Sequence, residues 1–311
     1  MRRYRTLALG AASLVLVMSA CTPGGSEGSP SGSSAGEKPT VSIGSQQFWE
    51  NSVVAEMYAQ GLEAAGYPVE RHLELGGRPI THTALEANEI NLLPEYLGGL
   101  GGDGLGLEAL STDPQTAWDN MQEALAGKDW VVYDFSPGTD ADGFAVREET
   151  AEEFGLTNMS DLAEVADQLV FGIAEECMEN PTCAPGLKEV YGIDLTQLEV
   201  ETLEACTADI ATALNDSAVD VAQVCTTQPE IGSLNLVLLD DDKHLQPAQN
   251  LLPLARQDLV DAAGADFAET LNAITAKLTT DALTELGVAI NINHEEIADV
   301  ARQFLQDNGL L

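Results

Sequence analysis

The chain alternates short apolar runs with longer segments in which apolar residues recur every three or four positions. The short runs are rich in β-branched and aromatic residues and predict β-strands. They lie at Val41 to Gly44, Val69 to Leu73, Ile90 to Leu93, Trp130 to Phe135, Gln168 to Ile173, Val219 to Val224 and Leu234 to Leu239. Residues 52–65 predict an amphipathic helix whose apolar stripe, which includes Met57 and Leu62, faces a sheet. Strands that alternate with helices predict parallel βαβ units and an α/β fold, followed by a mostly helical end from residue 259.

The first forty residues have the features of an export signal and a tether. Three arginines within the first five residues precede an apolar run at 7–18, which is shorter than the 18 or so residues of a membrane span. Residues 17–21 also fit the bacterial lipobox, so we predict a signal peptide at 1–20 and a lipidated Cys21. An ordinary cleaved signal with an unpaired Cys21 remains an alternative. Residues 21–40 are rich in Gly, Ser and Pro and predict a disordered tether.

The charge of the chain is strongly negative, with 51 acidic against 13 basic residues. Cleavage before Cys21 would remove Arg2, Arg3 and Arg5 and no acidic residue. Such a chain lacks the basic surface that nucleic-acid binding requires. Self-repulsion destabilises a compact acidic protein unless salt screens it, so the composition favours a protein that works in brine. An acidic surface for calcium or for a basic partner is the alternative.

Four cysteines follow Cys21, at positions 177, 183, 206 and 225. An even number in an exported chain predicts two disulfides, for which three connectivities are possible. A four-thiolate zinc site is the alternative, although the chain has no CxxC pair. We therefore expect no bound metal.

Catalytic patterns are not found in the sequence. The four histidines are scattered, and no GxSxG, HExxH or P-loop motif is present. We therefore expect no catalytic residues and no cofactor. The glycine-rich stretch at 97–106 has no lysine and predicts a flexible loop.

Three segments carry a resemblance to a known family. A strand and polar turn at 41–49 are followed by Leu75-Gly76-Gly77-Arg78-Pro79 and by Pro94-Glu95-Tyr96. This order resembles the substrate-binding proteins of osmoprotectant ABC transporters, which capture glycine betaine, choline, carnitine and related solutes. The resemblance runs from about residue 41 to the C-terminus. It implies a type II periplasmic-binding-protein-like α/β fold, with two lobes, a hinge and an interlobe cleft.

The resemblance also implies the limits of the lobes. Lobe 1 would be discontinuous, with residues 41–141 and 247–311, and lobe 2 would span 142–246. The crossings between the lobes would lie in 139–147 and 240–253, where the second returns the chain to lobe 1. Two crossings form a hinge, which allows a bound ligand to favour the closed state.

The resemblance assigns ligand-binding roles to several positions. Tyr96 matches a tyrosine of the family's aromatic cage, and an aromatic face attracts a quaternary ammonium group. Gln46 or Gln47 matches a polar contact of the first turn, and Gly77 lies in a loop that approaches the ligand. Trp49 replaces a small polar residue and would supply a second aromatic wall.

The chain also departs from the family's cage. Two expected tyrosines are missing, at Cys225 before Thr226 and at Gln249, so we expect Thr226 and Gln249 to line the site instead. Arg78 stands in a Gly-Gly-Thr position and would hold a carboxylate, with an ion pair to a surface acid as its alternative role.

The function implied is that of an extracytoplasmic, lipid-anchored binding protein of an ABC importer. Its ligand would be a small compatible solute such as glycine betaine or another zwitterion or carboxylate. Its partners would be the permease and ATPase subunits, and we expect a monomer. A sensor of the same fold without a transport role is the alternative. The family's cysteine-paired loop further implies a Cys177–Cys183 disulfide, and with it a Cys206–Cys225 disulfide.

Overall fold

The computed structural model describes residues 38–311. The predicted signal peptide, Cys21 and most of the predicted tether lie outside this part of the chain. None of the helices in residues 38–311 has the length and apolar character needed to cross a bilayer.

The described residues form ten strands and thirteen α-helices. The strands are β1 (Val41–Gln46), β2 (Val69–Gly76), β3 (Leu92–Tyr96), β4 (Trp130–Val132), β5 (Asp142–Arg147), β6 (Val170–Ile173), β7 (Glu199–Thr202), β8 (Val221–Cys225), β9 (Leu236–Leu238) and β10 (Leu251–Arg256). The helices are α1 (Trp49–Ala64), α2 (Arg78–Glu86), α3 (Leu97–Gly99), α4 (Pro114–Ala124), α5 (Glu148–Phe154), α6 (Met159–Ala163), α7 (Ala184–Gly186), α8 (Ala208–Asn215), α9 (Glu230–Ser233), α10 (Gln257–Ala262), α11 (Ala265–Thr275), α12 (Thr280–Gly287) and α13 (Ile297–Asp307). Single π-helical turns follow α3, α7 and α12 at Leu100–Gly104, Leu187–Tyr191 and Val288–Ile292, and 3₁₀ turns lie at Ala166–Gln168, Glu175–Met178 and Leu195–Gln197.

Two five-stranded sheets organise the fold. Their strand orders are β2-β1-β3-β10-β4 and β7-β6-β8-β5-β9. In each sheet four of the five strands run in the same direction, whereas β10 runs antiparallel to β3 and β4, and β5 runs antiparallel to β8 and β9. The predicted parallel pairing is found among β1, β2 and β3 and among β6, β7 and β8, whereas β5 and β10 were not predicted as strands. Both belong to the segments predicted as crossings, and each enters its sheet directly after the chain has changed lobe.

We call the part built on the first sheet lobe 1 and the part built on the second sheet lobe 2. Each sheet is covered on both faces by apolar clusters, as expected for a mainly parallel sheet. The chain leaves lobe 1 through residues 133–141 and returns through 239–250. The two connections run side by side, because Thr139 pairs with Asn250 and the Asp140 amide donates to the Gln249 carbonyl at 3.1 Å. The lobe limits at 141/142 and 246/247 stay predictions.

Helix α1 lies in the centre of lobe 1. It begins three residues before the predicted start and is buried from Glu50 to Leu62. The sheet covers one side of α1, and α11, α12 and α13 cover the other, so the helix has no solvated face. Polar side chains on α1 therefore need partners inside the protein, and Glu56 obtains one from Arg71, whose Nε lies 2.7 Å from its Oε2.

The charge balance of the chain predicts a strong dependence of stability on salt. With 51 acidic and 13 basic residues, most carboxylates have no cationic partner. We expect the midpoint of thermal unfolding to rise steeply between about 0.1 and 2 M NaCl, as the Debye length falls from about 10 Å to 3 Å or less. Calorimetry across this range measures the effect. A constant midpoint would contradict the interpretation as a protein adapted to brine.

Candidate functional site

A cleft of about 660 Å³ lies between the two lobes and includes the first turn of α1. We call it the Glu50 cleft. Its lining consists of Phe48, Trp49, Glu50, Ile290, Asn291 and His294 from lobe 1, Asp140 from the first crossing, and Glu204 to Ala208, Cys225 and Thr227 to Glu230 from lobe 2. The ends of β1 and β8 meet here, which is the edge where α/β sheets bind ligands. The π-helical turn at Val288–Ile292 also contributes, and such turns are frequent at functional sites.

Three aromatic residues lie near Glu50, and of these Phe48 and Trp49 line the cleft. Tyr96 ends β3 and is buried, and its hydroxyl donates to Glu50 Oε1 at 2.7 Å. The Phe48 and Tyr96 ring centroids lie 6.1 Å apart. Trp49 is half-buried and packs against Gly287, where an added Cβ would meet its indole at 2.9 Å. The structure therefore brings both Trp49 and Tyr96 near Glu50.

Two carboxyl groups lie at the floor of the Glu50 cleft. Burial, and next the charge of Asp140, hold the pKa of Glu50 well above its ordinary value. Burial also raises the pKa of Asp140 to about 6, although the hydroxyl and main chain of Thr227 act in the opposite direction. Ionisation of Glu50 is therefore disfavoured while Asp140 is charged. Glu50 and Asp140 thus form a carboxyl pair that joins lobe 1 to the hinge.

Several polar atoms near this pair have no hydrogen-bond partner. Glu50 Oε2, Asp140 Oδ1 and Gln228 Oε1 are shielded from solvent and unpaired. Gln228 uses its amide nitrogen to donate to the Thr207 carbonyl at 2.8 Å, which leaves its oxygen free. A buried polar group without a partner is costly and requires an explanation.

A second cleft, of about 390 Å³, contains Gln249. Its walls come from the glycine-rich segment after Tyr96 and from the loop that contains Pro181 in lobe 2. Gln249 Oε1 accepts a hydrogen bond from the Gly99 amide at 3.1 Å, so its side chain is held by main chain of lobe 1. The stretch predicted as a flexible loop is instead a helical turn, with α3 and the π-helical residues Leu100–Gly104.

Arg78 is engaged by acidic side chains of its own lobe. Its Nε donates to Glu95 Oε1 at 2.9 Å and its Nη1 to Asp103 Oδ2 at 3.1 Å. Glu95 is fully buried and also contacts His82 Nε2 at 2.8 Å. Burial alone would raise the pKa of Glu95, but its bonds to His82 and Arg78 outweigh that effect, and the pKa lies below its ordinary value. The guanidinium group therefore neutralises a buried carboxylate.

The remaining predicted residues are dispersed around the hinge. Gln46 is buried at the end of β1, and its side-chain nitrogen has no partner. Gln47 is exposed, and Gly77 caps the start of α2. Thr226 accepts a hydrogen bond from the Ala141 amide at 3.0 Å and lines a third hollow beside the crossings.

Both disulfides form as the resemblance implied. Cys177 is bonded to Cys183 and Cys206 to Cys225. Each one borders a cleft, since Cys206 and Cys225 line the Glu50 cleft and residues 180–182 line the second. Asp142 lies near Cys206 and Cys225, but sulfurs in a disulfide are not thiolate ligands. The cysteines therefore leave no thiolate for the alternative zinc site.

The sequence did not single out Glu50, Asp140 or Gln228 as site residues. A glutamate in the first turn of a helix is ordinarily explained by the helix dipole, and Asp140 was one of many acids near the hinge. Only the three-dimensional arrangement distinguishes them, because it buries them beside a cleft.

Comparisons with known proteins agree with this architecture. A model of the family described as the substrate binding domain of ABC-type glycine betaine transport systems matches residues 39–307. The chain is 24% identical to the glycine betaine-binding protein YehZ of Escherichia coli K12, over 86% of this chain and 90% of that protein. It is 26% identical to the carnitine transport binding protein OpuCC of Listeria monocytogenes, over 94% and 92% of the respective chains.

Solved structures support the same fold. One described as a glycine betaine/carnitine/choline ABC transporter superposes with a TM-score of 0.79 at 26% identity, covering 87% of this chain and 99% of the other. Apo YehZ from Escherichia coli superposes with a TM-score of 0.74 at 22% identity, covering 88% and 99%. The two-lobed α/β fold that the resemblance implied is confirmed.

Proposed function

The chain belongs to the family of substrate-binding domains of ABC-type glycine betaine transport systems, and on that premise we propose that it captures a small zwitterionic solute in its interlobe cleft for an importer. The family is one of substrate-binding proteins and not of enzymes. The permease and ATPase subunits of the importer would receive the solute from the closed form.

The observation that carries this proposal is the composition of the Glu50 cleft. Its walls come from both lobes and from the crossing between them. A ligand that touches both lobes makes its full set of contacts only when they are close together, so it shifts the population towards the closed state. The relatives that bind glycine betaine and carnitine match this chain over most of its length.

Within the cleft we propose that Tyr96 and Trp49 form the aromatic side of the solute site, with Gln46 at its polar end. Gln47, Gly77, Thr226 and Gln249 would act at the rim. Arg78 would contribute to carboxylate binding only if a ligand displaced Asp103 from it, because Glu95 already occupies its Nε.

We further propose that export and lipidation place this domain at the outer face of the cell membrane. Residues 1–20 would direct export, and a diacylated Cys21 would hold the domain through the tether. The protein would act as a monomer.

Replacement of Tyr96 tests the solute site. A thermal-shift screen in molar salt, with glycine betaine, choline, carnitine and amino acids, identifies the solute that binds most tightly. We expect Tyr96→Ala to weaken its binding by about 1–2 kcal/mol, because the cation loses an aromatic face. Titration calorimetry measures the change.

Tyr133 supplies the matched control. It is half-buried against Phe267, with ring centroids 5.9 Å apart. Within residues 38–311 it makes no hydrogen bond to a residue that lines the Glu50 cleft, whereas the Tyr96 hydroxyl donates to Glu50. Tyr133→Ala should leave the affinity unchanged. If no solute in the screen shifts the melting temperature, the proposed function is wrong, and equal affinities of the two variants would place the site elsewhere.

A further inference from the structure

Among the described residues, the buried polar atoms of the Glu50 cleft that lack a hydrogen-bond partner are all acceptors. They are Glu50 Oε2, Asp140 Oδ1 and Gln228 Oε1. Glu50 is 1% exposed and Gln228 is 4% exposed. Each lacks a partner although burial makes an unpaired group expensive. A ligand that satisfies them must therefore donate several hydrogen bonds.

The acidic lining of the Glu50 cleft also favours a cationic ligand. Four carboxyl groups line it, on Glu50, Asp140, Glu204 and Glu230, and none of the described residues in its lining is a lysine or an arginine. None of the ion pairs within residues 38–311 engages these four groups. The cleft is thus negative without an internal counter-charge.

Adaptation to salt does not explain the two innermost acids. Surface carboxylates are stabilised by water and by screening ions, whereas a buried carboxylate loses that hydration. Glu50 is almost fully buried. Its carboxyl group therefore reduces the stability of the empty protein, which is typical of groups positioned for a ligand.

A quaternary ammonium group has no N–H and cannot satisfy these acceptors, whereas a primary ammonium or a guanidinium group can donate to several of them. We propose that the Glu50 cleft binds a cation that carries N–H groups, with Glu50, Asp140 and Gln228 as its acceptors. This inference rests on the proposed function, since it names the solute class of the same interlobe site. Recognition of the cation by carboxyl groups thereby takes the place of the two cage tyrosines, whose positions Cys225 and Gln249 occupy in this chain.

Matched probes that differ only in N-methylation provide the test. Binding of glycine is compared with that of glycine betaine, and binding of ethanolamine with that of choline, by titration calorimetry of the mature chain in molar NaCl. We expect the N–H member of each pair to bind at least tenfold more tightly. Agmatine carries both a guanidinium and an ammonium group. Tighter binding of agmatine than of ethanolamine would show that the site prefers the larger donor.

Charge-removing variants identify the acceptors. Glu50→Gln and Asp140→Asn should each weaken binding of the N–H probe at least tenfold and leave that of its methylated partner within threefold. Glu152→Gln removes one charge from an exposed position of α5 in lobe 2 and should bind like the unmodified protein. Circular dichroism before each titration shows that the variants are folded.

A pH series on the unmodified protein gives an independent readout. An N–H cation favours the ionised pair, so its affinity should rise between about pH 5 and 7.5, and binding should release a proton to the buffer. The other titratable groups that face the pair or line the cleft are Tyr96, Asp142, Glu204, Glu230 and His294.

The outcomes separate the two proposals. Tighter binding of the methylated probes, or binding insensitive to pH and to both variants, would overturn the N–H inference and leave the solute-binding function intact. Absence of binding by every probe and by every solute of the wider screen would overturn both.

Discussion

Replacement of Arg78 by alanine is expected to lower the free energy of unfolding by about 3–5 kcal/mol, because it removes the cation that neutralises a buried carboxylate. Glu95 is fully buried, and its Oε1 receives hydrogen bonds from Arg78 and His82. Once the arginine is removed, the His82 imidazole and the Tyr96 amide, which donates to Glu95 Oε2 at 2.8 Å, remain as hydrogen-bond partners of the carboxylate. Denaturant unfolding in molar NaCl measures the loss, with the salt held constant in all samples.

Arg302 provides the control for this prediction. It pairs with Asp299 on the surface of α13, where the side chains are 52% and 72% exposed. Exposed pairs contribute little, so Arg302→Ala should change stability by less than about 1 kcal/mol. Adding Glu95→Gln to Arg78→Ala should recover part of the loss, since the uncompensated charge is then absent. If Arg78→Ala is stable but no longer binds solute, the arginine acts on the ligand and its structural role is minor.

Loss of the Cys206–Cys225 disulfide is expected to lower the free energy of unfolding by about 3 kcal/mol. The two cysteines are 19 residues apart, and a loop of this size restricts the unfolded chain by about that amount. A double Cys206→Ala, Cys225→Ala variant should therefore unfold at lower denaturant than the unmodified chain. It should also bind solute more weakly, because both cysteines line the Glu50 cleft.

The other disulfide supplies an internal comparison. Cys177 and Cys183 are only six residues apart, so the same reasoning gives about 2 kcal/mol for their removal. Their double variant should be the more stable of the two. The reverse order would show that loop entropy does not dominate and that contacts around Cys177, which is fully buried, decide the effect.

The sequence predicted most of the strands and missed β5, β7 and β10. Seven strands were expected, and each has a counterpart in the structure. Strand β7 has the sequence Glu-Val-Glu-Thr and lies at a sheet edge, where polar residues are tolerated. Strand β10 contains Pro253, which argues against a central strand, yet in the structure it lies opposite Pro94 between β3 and β4.

The sequence identified only some of the candidate site residues. Tyr96 and Trp49 stood out because the chain has few aromatic residues and because they occupy positions of a family motif. Glu50 and Asp140 did not, because they are two of 51 acidic residues and no local pattern separates a buried carboxylate from a solvated one. Their burial arises from contacts between α1, the first crossing and lobe 2, which are distant along the chain.

The position of Asp140 on a crossing segment has a consequence for the order of events in capture. A point on the axis of a rotation moves least. Asp140 lies in the hinge, where its main-chain amide donates a hydrogen bond to the Gln249 carbonyl of the second crossing. Glu50 and Asp140 should therefore keep their separation in the open form, whereas Gln228 approaches only as lobe 2 swings in. A cation would first dock on the carboxyl pair, and Gln228 would then complete its coordination. The strength of the Gln228 contact would determine how fast the solute dissociates. The carboxyl pair would determine which solutes bind.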